Sequence, residues 1–205
     1  MEFNNKGKSP LEKAQDMYLA PFLFYMRYVV LLFAFWGCLN SAQAQTATIN
    51  WHRFSELESL QKQAPRKVFI DVFTDWCGWC KKMDASTFKH PVIVKLMNRY
   101  FYAVKLDAEA GDSLRYQGIS FGKRNGEKRT PHDLAVKLLS GKMSYPTTVY
   151  LDETLNSLGP VPGYLDAAIM EKILVFFGEN HYKTTEWKVF EKNFSGEIVK
   201  EEHGY

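Results

Sequence analysis

KVFIDVFTDWCGWC, residues 67–80, joins a dense apolar run to a Cys-x-x-Cys motif. The run from Val68 to Phe73 is rich in β-branched and aromatic residues, which predicts a buried central strand. A helix beginning at the motif would hold Cys77 and Cys80 close enough to form a disulfide. Its start would place the Cys77 sulfur beside unpaired backbone N–H groups and the positive end of the helix dipole, which favour a thiolate. Because a thiolate beside a second thiol performs disulfide exchange, the stretch predicts that chemistry.

A zinc site is the main alternative for the two cysteines, because Cys-x-x-Cys also fits tetrahedral zinc. Zinc would require two further ligands, which usually come as a second close pair of Cys or His. The only other cysteine is Cys38, and none of the five histidines forms a close pair with another. The pattern therefore favours a redox pair, with no metal ligand and no cofactor.

The composition indicates a single globular domain with a core of its own. Hydrophobic residues make up 46% and aromatic residues 15% of the 205 residues, which is enough for a core without disulfide crosslinks. The net charge is only +3, and no long block of lysine and arginine occurs. Nucleic acid is therefore not an expected partner.

Residues 1–44 have the pattern of a secretory signal and are predicted to be a targeting segment. Met26-Arg27 precedes a short apolar stretch over residues 28–36, and Ala42-Gln43-Ala44 follows as an Ala-x-Ala cleavage site. Cleavage there would leave a mature chain that begins at Gln45. Export is predicted, with the periplasm as the location, where disulfides form and persist.

Other interpretations of the targeting segment stay open. Residues 17–39 are long enough to span a bilayer, which would leave a membrane-anchored form. Met26 is an alternative start of the chain. Acylation of Cys38 is the weaker idea, because the bulky Phe35-Trp36 precedes it where small residues are expected.

Hydrophobic spacing beyond the targeting segment predicts alternating helices and strands. Phe54, Leu57 and Leu60 recur at helical spacing and predict a helix from about Trp51 to Gln63. Further helices are predicted directly after Cys80, from Pro91 onward and over residues 167–177. The predicted strands are 68–73, 101–106 and 146–151, with a short edge strand at 161–164. This alternation indicates an α/β sandwich with the sheet in the middle.

The tail over residues 179–205 is polar but keeps three aromatic residues. Trp187, Phe190 and Phe194 recur three and four residues apart. This spacing predicts a last helix that packs on the domain, so the tail is interpreted as a C-terminal extension and not as a free segment.

With a strand, the Cys-x-x-Cys motif, a second strand and a later Tyr-Pro-Thr strand in this order, residues 51–178 resemble the thioredoxin superfamily. The chain looks most similar to exported bacterial thioredoxin-like proteins, of the kind common in Bacteroidetes. The resemblance implies a three-layer α/β/α sandwich with a central mixed sheet over residues 45–178. It also implies an insertion at about 108–141, before the strand that starts at a cis-proline.

The resemblance implies a set of reacting residues. Cys77 would be the nucleophile and Cys80 the resolving cysteine. Asp71 matches the buried aspartate that accepts the proton of the resolving cysteine in thioredoxins. Lys105 matches the lysine that is paired with this aspartate on the neighbouring strand.

The resemblance also implies four substrate-binding residues. Pro146 matches the cis-proline that lies against the disulfide, and X-Pro is the only common place for a cis peptide. The backbone of Tyr145 would pair with an extended substrate chain. Trp76 and Trp79 would shield the site and offer a docking surface, although aromatic residues there also fit simple packing.

The insertion carries turn and charge signals of its own. Asn125-Gly126 predicts a two-residue hairpin turn, and a helix is predicted from His132 to Leu139. His132 itself is interpreted as a surface or hydrogen-bonded residue without a catalytic role. The insertion is expected to border the active site, and its basic residues either attract acidic partners or, as favoured, form a solvated hairpin: Lys123, Arg124, Lys128 and Arg129.

The predicted function is an extracytoplasmic thiol–disulfide oxidoreductase that reduces substrate proteins carrying disulfides and draws electrons from a membrane donor. Gly78-Trp79 inside the motif differs from the Gly-Pro of thioredoxin and from the residue-His of oxidants, which leaves the direction open. One alternative is a Cu(I) chaperone that uses both thiolates and Met143. The other is a noncatalytic interaction module in which the disulfide only serves as a structural crosslink.

Overall fold

The computed structural model of the protein describes residues 47–123 and 129–198. Seven strands and six α-helices occur within these ranges. The strands are β1 Trp51–Arg53, β2 Lys67–Phe73, β3 Phe101–Asp107, β4 Leu114–Tyr116, β5 Ile119–Phe121, β6 Thr147–Leu151 and β7 Ser157–Pro162. The helices are α1 Leu57–Gln63, α2 Gly78–Ala85, α3 Pro91–Tyr100, α4 Asp133–Leu138, α5 Ala167–Gly178 and α6 Trp187–Asn193.

The central sheet has five strands in the order β1-β3-β2-β6-β7. β1, β3 and β2 run parallel, while β6 and β7 are antiparallel to their neighbours. β2 is buried along nearly its whole length, as expected for a strand covered on both faces. The prediction of an α/β fold with a central mixed sheet is confirmed.

Two hydrophobic clusters cover the two faces of this sheet. Successive side chains of β2 point to opposite faces, so Phe69 belongs to one cluster, and Val68 and Ile70 belong to the other. The Phe69 cluster includes residues of α2, α3 and α5, and the opposite cluster includes residues of α1 and α4. The molecule is therefore a three-layer α/β/α sandwich, as the resemblance implies.

The prediction of a helix beginning at Trp51 is wrong for its first six residues. Trp51–Arg53 forms edge strand β1, in parallel register with β3 from Trp51 opposite Ala103. A 3₁₀ turn covers Phe54–Glu56, and the α-helix begins only at Leu57. A three-residue strand is too short to display a period of two, and the pairing that forms it comes from a distant segment.

The insertion before β6 contains the separate β4–β5 hairpin and α4. The hairpin turns at Gln117-Gly118, whose φ angles of 50° and 78° are both positive, as a type I′ turn requires. The predicted turn at Asn125-Gly126 lies outside the described residues, as do Arg124 and Lys128.

The C-terminal helix α6 lies against α5. The Phe176 ring of α5 stands 5.2 Å from the Trp187 ring and 5.1 Å from the Phe190 ring, measured between centroids. The predicted targeting segment, with Met26 and Cys38, lies outside the described residues. Among the helices that the structure describes, none is long and apolar enough to cross a membrane.

Candidate functional site

Cys77 and Cys80 form a disulfide at the start of α2, with their Cα atoms 5.3 Å apart. Cys77 is the N-cap of this helix, and its sulfur accepts a hydrogen bond from the Cys80 backbone N–H at 3.1 Å. The Cys77 N–H donates to the carbonyl of Thr74 at 3.1 Å, which fixes the turn between β2 and the helix. The first turn of α2 therefore holds the two sulfurs together beside its free N–H groups.

Both cysteines are buried in this oxidised state, with exposed fractions of 5% for Cys77 and 3% for Cys80. The closed disulfide therefore leaves little of either cysteine exposed to solvent. The bond draws the Cys77 sulfur toward Cys80, which lies on the inner side of α2 with Met83.

Asp71 lies in the middle of β2, on the same face as Phe69, and only 1% of its surface is exposed. Lys105 is its register partner on β3 and donates a hydrogen bond from Nζ to Asp71 Oδ2 at 2.9 Å. The other oxygen, Oδ1, is buried and has no hydrogen-bond partner among the described residues. Burial raises the pKa of Asp71, and the nearby Lys105 only partly counters this effect. A carboxylate in this state is disposed to take up a proton.

A second carboxylate shares Lys105. Asp84 of α2 accepts a hydrogen bond from the same Nζ through Oδ1 at 2.5 Å. Burial lowers the pKa of Lys105, but Asp71 and Asp84 more than offset this and raise it. Asp84 was not among the residues predicted from the sequence, although its position four residues after Cys80 places it on the Cys80 side of a helix.

Pro146 lies at the same edge of the sheet as the disulfide. The Tyr145–Pro146 peptide bond is cis, and β6 starts directly after it. Since β6 runs antiparallel to β2, with Val72 opposite Thr147, the beginning of β6 adjoins the end of β2 that leads into the motif. The Pro146 carbonyl accepts a hydrogen bond from the Gly163 N–H at 2.8 Å, which ties the end of β7 to this loop.

Trp76 and Trp79 are the most exposed large hydrophobic residues near the disulfide, at 56% and 57%. The Trp76 ring packs edge-on against Tyr145 at 5.9 Å, and its indole N–H donates to Glu109 Oε1 at 3.0 Å. The Trp79 ring lies 5.4 Å from the ring of Tyr164. Each tryptophan is thus held in place by a tyrosine while most of its surface stays open to a partner.

The insertion reaches the active site through Glu109, the residue that binds Trp76. Beside it lies an open cleft of about 280 Å³, lined by the residues Asp75, Asp107, Glu109, Lys123 and Arg129. Burial, together with the charges of Asp75 and Glu109, raises the pKa of Asp107. Lys123 donates to the Glu109 carbonyl at 3.0 Å, so this basic residue is part of the cleft wall.

His132 is fully buried and caps α4. Its Nδ1 accepts from the Leu134 N–H at 3.1 Å, and its Nε2 is bonded to the Asp112 carbonyl at 2.7 Å. Met143, the soft-metal candidate, is partly buried against the cluster on the α1 and α4 face. Within residues 47–123 and 129–198, no group of three or more His, Cys, Asp or Glu residues is arranged to hold a metal ion.

A protein-family model agrees with the N-terminal half of the described fold. The DsbH-type thioredoxin family, described as a protein of unknown function, DUF255, matches residues 40–117. This range contains β1, β2, the Cys-x-x-Cys motif and β3.

Curated relatives and solved structures also resemble this chain, at low sequence identity or over a small part of its length. The thiol:disulfide interchange protein DsbD of Vibrio vulnificus is 31% identical over 72 residues, covering 32% of this chain and 12% of the relative. The DsbD protein of Photorhabdus laumondii is 26% identical over 139 residues, covering 65% of this chain and 21% of the relative. A thioredoxin-fold protein from Helicobacter pylori superposes with a TM-score of 0.50 at 16% identity, covering 62% of this chain and 83% of the other. The chain spans only a small part of the DsbD proteins, and the structural likeness establishes the fold.

Proposed function

We propose that this chain, which has a thioredoxin fold, is an extracytoplasmic disulfide reductase. The coarser activity, thiol–disulfide exchange, is supported by the fold together with the cysteine pair. The observation that carries the proposal is the Cys77–Cys80 disulfide at the N-terminus of α2, on the same sheet edge as cis-Pro146. Its location outside the cytoplasm rests on the targeting pattern in residues 1–44.

The proposed reaction begins with the reduced protein. The Cys77 thiolate attacks one sulfur of a substrate disulfide, the substrate's other sulfur leaves as a thiolate, and a mixed disulfide forms. Asp71 accepts the proton of Cys80, whose thiolate then attacks the Cys77 sulfur. The products are a reduced substrate and the Cys77–Cys80 disulfide, so two electrons have passed from the protein to its substrate.

The closed disulfide is the product state of this reaction, so each turnover requires a reductant. Outside the cytoplasm, we propose a membrane-embedded dithiol donor as the source of the two electrons. The same steps in reverse would oxidise a substrate dithiol, and the reduction potential decides between the two directions.

The deciding measurement is the reduction potential of the cysteine pair in the purified protein, equilibrated against glutathione and dithiothreitol. A potential near ~−270 mV supports a reductase, whereas one near ~−120 mV makes the protein a disulfide donor. A potential well below about −300 mV, with an unreactive Cys77, reduces the pair to a structural crosslink.

Two cysteine variants test the order of the steps. Cys80→Ser is expected to accumulate the mixed disulfide with a substrate protein such as insulin, because nothing resolves it. Cys77→Ser, the matched control, is expected to accumulate none. Stoichiometric Cu(I) binding without insulin reduction would instead favour the copper chaperone.

A further inference from the structure

The Trp79 side of the active site carries a cation that the reaction does not use. Lys82 of α2 places its Nζ 4.8 Å from the centre of the Trp79 ring and 5.0 Å from that of the Tyr164 ring. Lys82 follows Trp79 by three residues, so both side chains lie on one helix face. We refer to Lys82, Trp79 and Tyr164 as the Lys82 clamp.

The Lys82 clamp is tied to the substrate-binding loop. The Tyr164 hydroxyl lies 3.2 Å from Ser86 Oγ at the end of α2. The preceding residue, Gly163, donates its N–H to the Pro146 carbonyl at 2.8 Å. The clamp is therefore held both to α2 and to the cis-proline loop, and binding a partner would require little further ordering of its side chains.

Lys82 has no ion pair with a carboxylate among the residues that the structure describes. Its ammonium lies over the two aromatic rings, whereas Lys105 is bonded to two carboxylates. The Trp76 side differs, since the carboxylate of Glu109 lies on the indole N–H there. An ammonium on aromatic faces keeps its N–H donors available for an incoming carboxylate.

We propose that the Lys82 clamp selects substrate segments that carry an acidic residue about two positions from the reactive cysteine. This proposal rests on the proposed function, since it names the substrate class of the same site. Lys82 follows Cys77 by five residues, or about 7–8 Å along the helix axis. An extended substrate advances about 3.3 Å per residue, so the clamp reaches a side chain roughly two residues from the attacked sulfur.

Peptides with one cysteine test this selectivity, with thionitrobenzoate as the leaving group on that cysteine. The peptides carry Glu, Gln or Lys two positions before or after the cysteine, and the release of thionitrobenzoate by excess reduced full-length protein is followed by absorbance. A preference is expected in only one of the two peptide sets, either the set with the varied residue before the cysteine or the set with it after. In that set the Glu peptide is expected to react about three- to tenfold faster than the Lys peptide at low ionic strength. In about 1 M salt this ratio is expected to approach one.

Two matched variants separate the clamp from the general charge of the helix. Lys81 is an exposed neighbour of equal charge, so Lys81→Gln and Lys82→Gln remove the same charge from the same helix. Lys82→Gln is expected to bring the Glu-to-Lys rate ratio close to one, and Lys81→Gln is expected to retain it.

Equal rates for the Glu and Lys peptides with the unmodified protein would overturn the clamp proposal and leave the oxidoreductase intact. The clamp proposal would also fall if both variants lowered the ratio alike. If no peptide released thionitrobenzoate although Cys77 was free and reduced, the proposed oxidoreductase function itself would fail.

Discussion

Replacing Asp71 by Asn is expected to stabilise the oxidised protein at neutral pH. The carboxylate is buried and one oxygen is bonded to Lys105, while the other has no hydrogen-bond partner within residues 47–123 and 129–198. Burial is the largest of the causes that raise the pKa of Asp71, so the ionised form is disfavoured in the folded state. The amide of the variant would keep the shape of the side chain and remove this charge, while Lys105 would keep its bond to Asp84.

The pH range of the effect follows from the direction of the shift. A carboxyl group whose pKa is higher in the folded state binds a proton more tightly there than in the unfolded chain. The free energy of unfolding therefore falls as pH rises from the ordinary aspartate value of 3.8 through the raised pKa of Asp71. Above that range we expect Asp71→Asn to gain about 1–3 kcal/mol, because the variant buries a neutral amide in place of an ionised carboxylate.

Urea denaturation of the oxidised protein measures this difference at neutral pH and again near pH 4. The difference in the free energy of unfolding between Asp71→Asn and the unmodified protein is expected to be largest at neutral pH and smaller near pH 4. A less stable variant at neutral pH, or a gap independent of pH, would refute the reasoning. Although Asp71→Asn is expected to be more stable, it is expected to react more slowly. Loss of a general base slows resolution of the mixed disulfide by about 10²–10⁴-fold.

Three further substitutions test other contacts. Asp84→Asn is expected to move the pH profile of mixed-disulfide resolution to lower pH, because the Asp84 charge raises the pKa of Asp71. Phe176→Ala is expected to lower the free energy of unfolding by about 3–5 kcal/mol in urea, since the buried ring joins α5 to α6. Gly178→Ala is expected to lower it by about 1–3 kcal/mol, because a Cβ there would lie 2.8 Å from ring atoms of Tyr100.

Two control variants accompany the stability measurements. Val189→Ala in α6 alters a side chain that is 52% exposed, and Gly111→Ala adds a Cβ that has no atom of the described residues within 4 Å. Both are expected to change the free energy of unfolding by no more than about 0.5 kcal/mol. If a control matched the loss of its test variant, the loss would not come from the ring contacts described.

The central part of the fold could be predicted because the signals are local. The apolar run of β2 and the motif directly after it specify a buried strand followed by a helix that begins at the cysteines. The burial of Asp71 follows from the same run, because a side chain on a strand that is covered on both faces is buried whichever face it lies on. The family resemblance added Lys105 and Pro146, whose placement depends on strand pairing and not on neighbouring residues.

The remainder depends on contacts between distant segments. Trp51–Arg53 becomes a strand only because β3 offers a free edge, which no local pattern reveals. Tyr164 belongs to the site through its contacts with α2, which begins 86 residues earlier in the chain at Gly78. Asp84 carried a usable signal in its helical spacing from Cys80, but its importance depends on the position of Lys105 across the helix–sheet interface.

Helix α2 separates proton handling from substrate recognition through its own geometry. Lys82 and Asp84 are two residues apart, which on an α-helix turns their side chains about 200° away from each other. Asp84 therefore reaches Lys105, the partner of the buried Asp71, while Lys82 lies over the exposed Trp79 ring. If this division holds, Lys82→Gln changes the preference for acidic peptides without moving the pH profile of resolution. Asp84→Asn moves the pH profile without changing the preference, and a variant that altered both would show that the two sides of the helix are coupled.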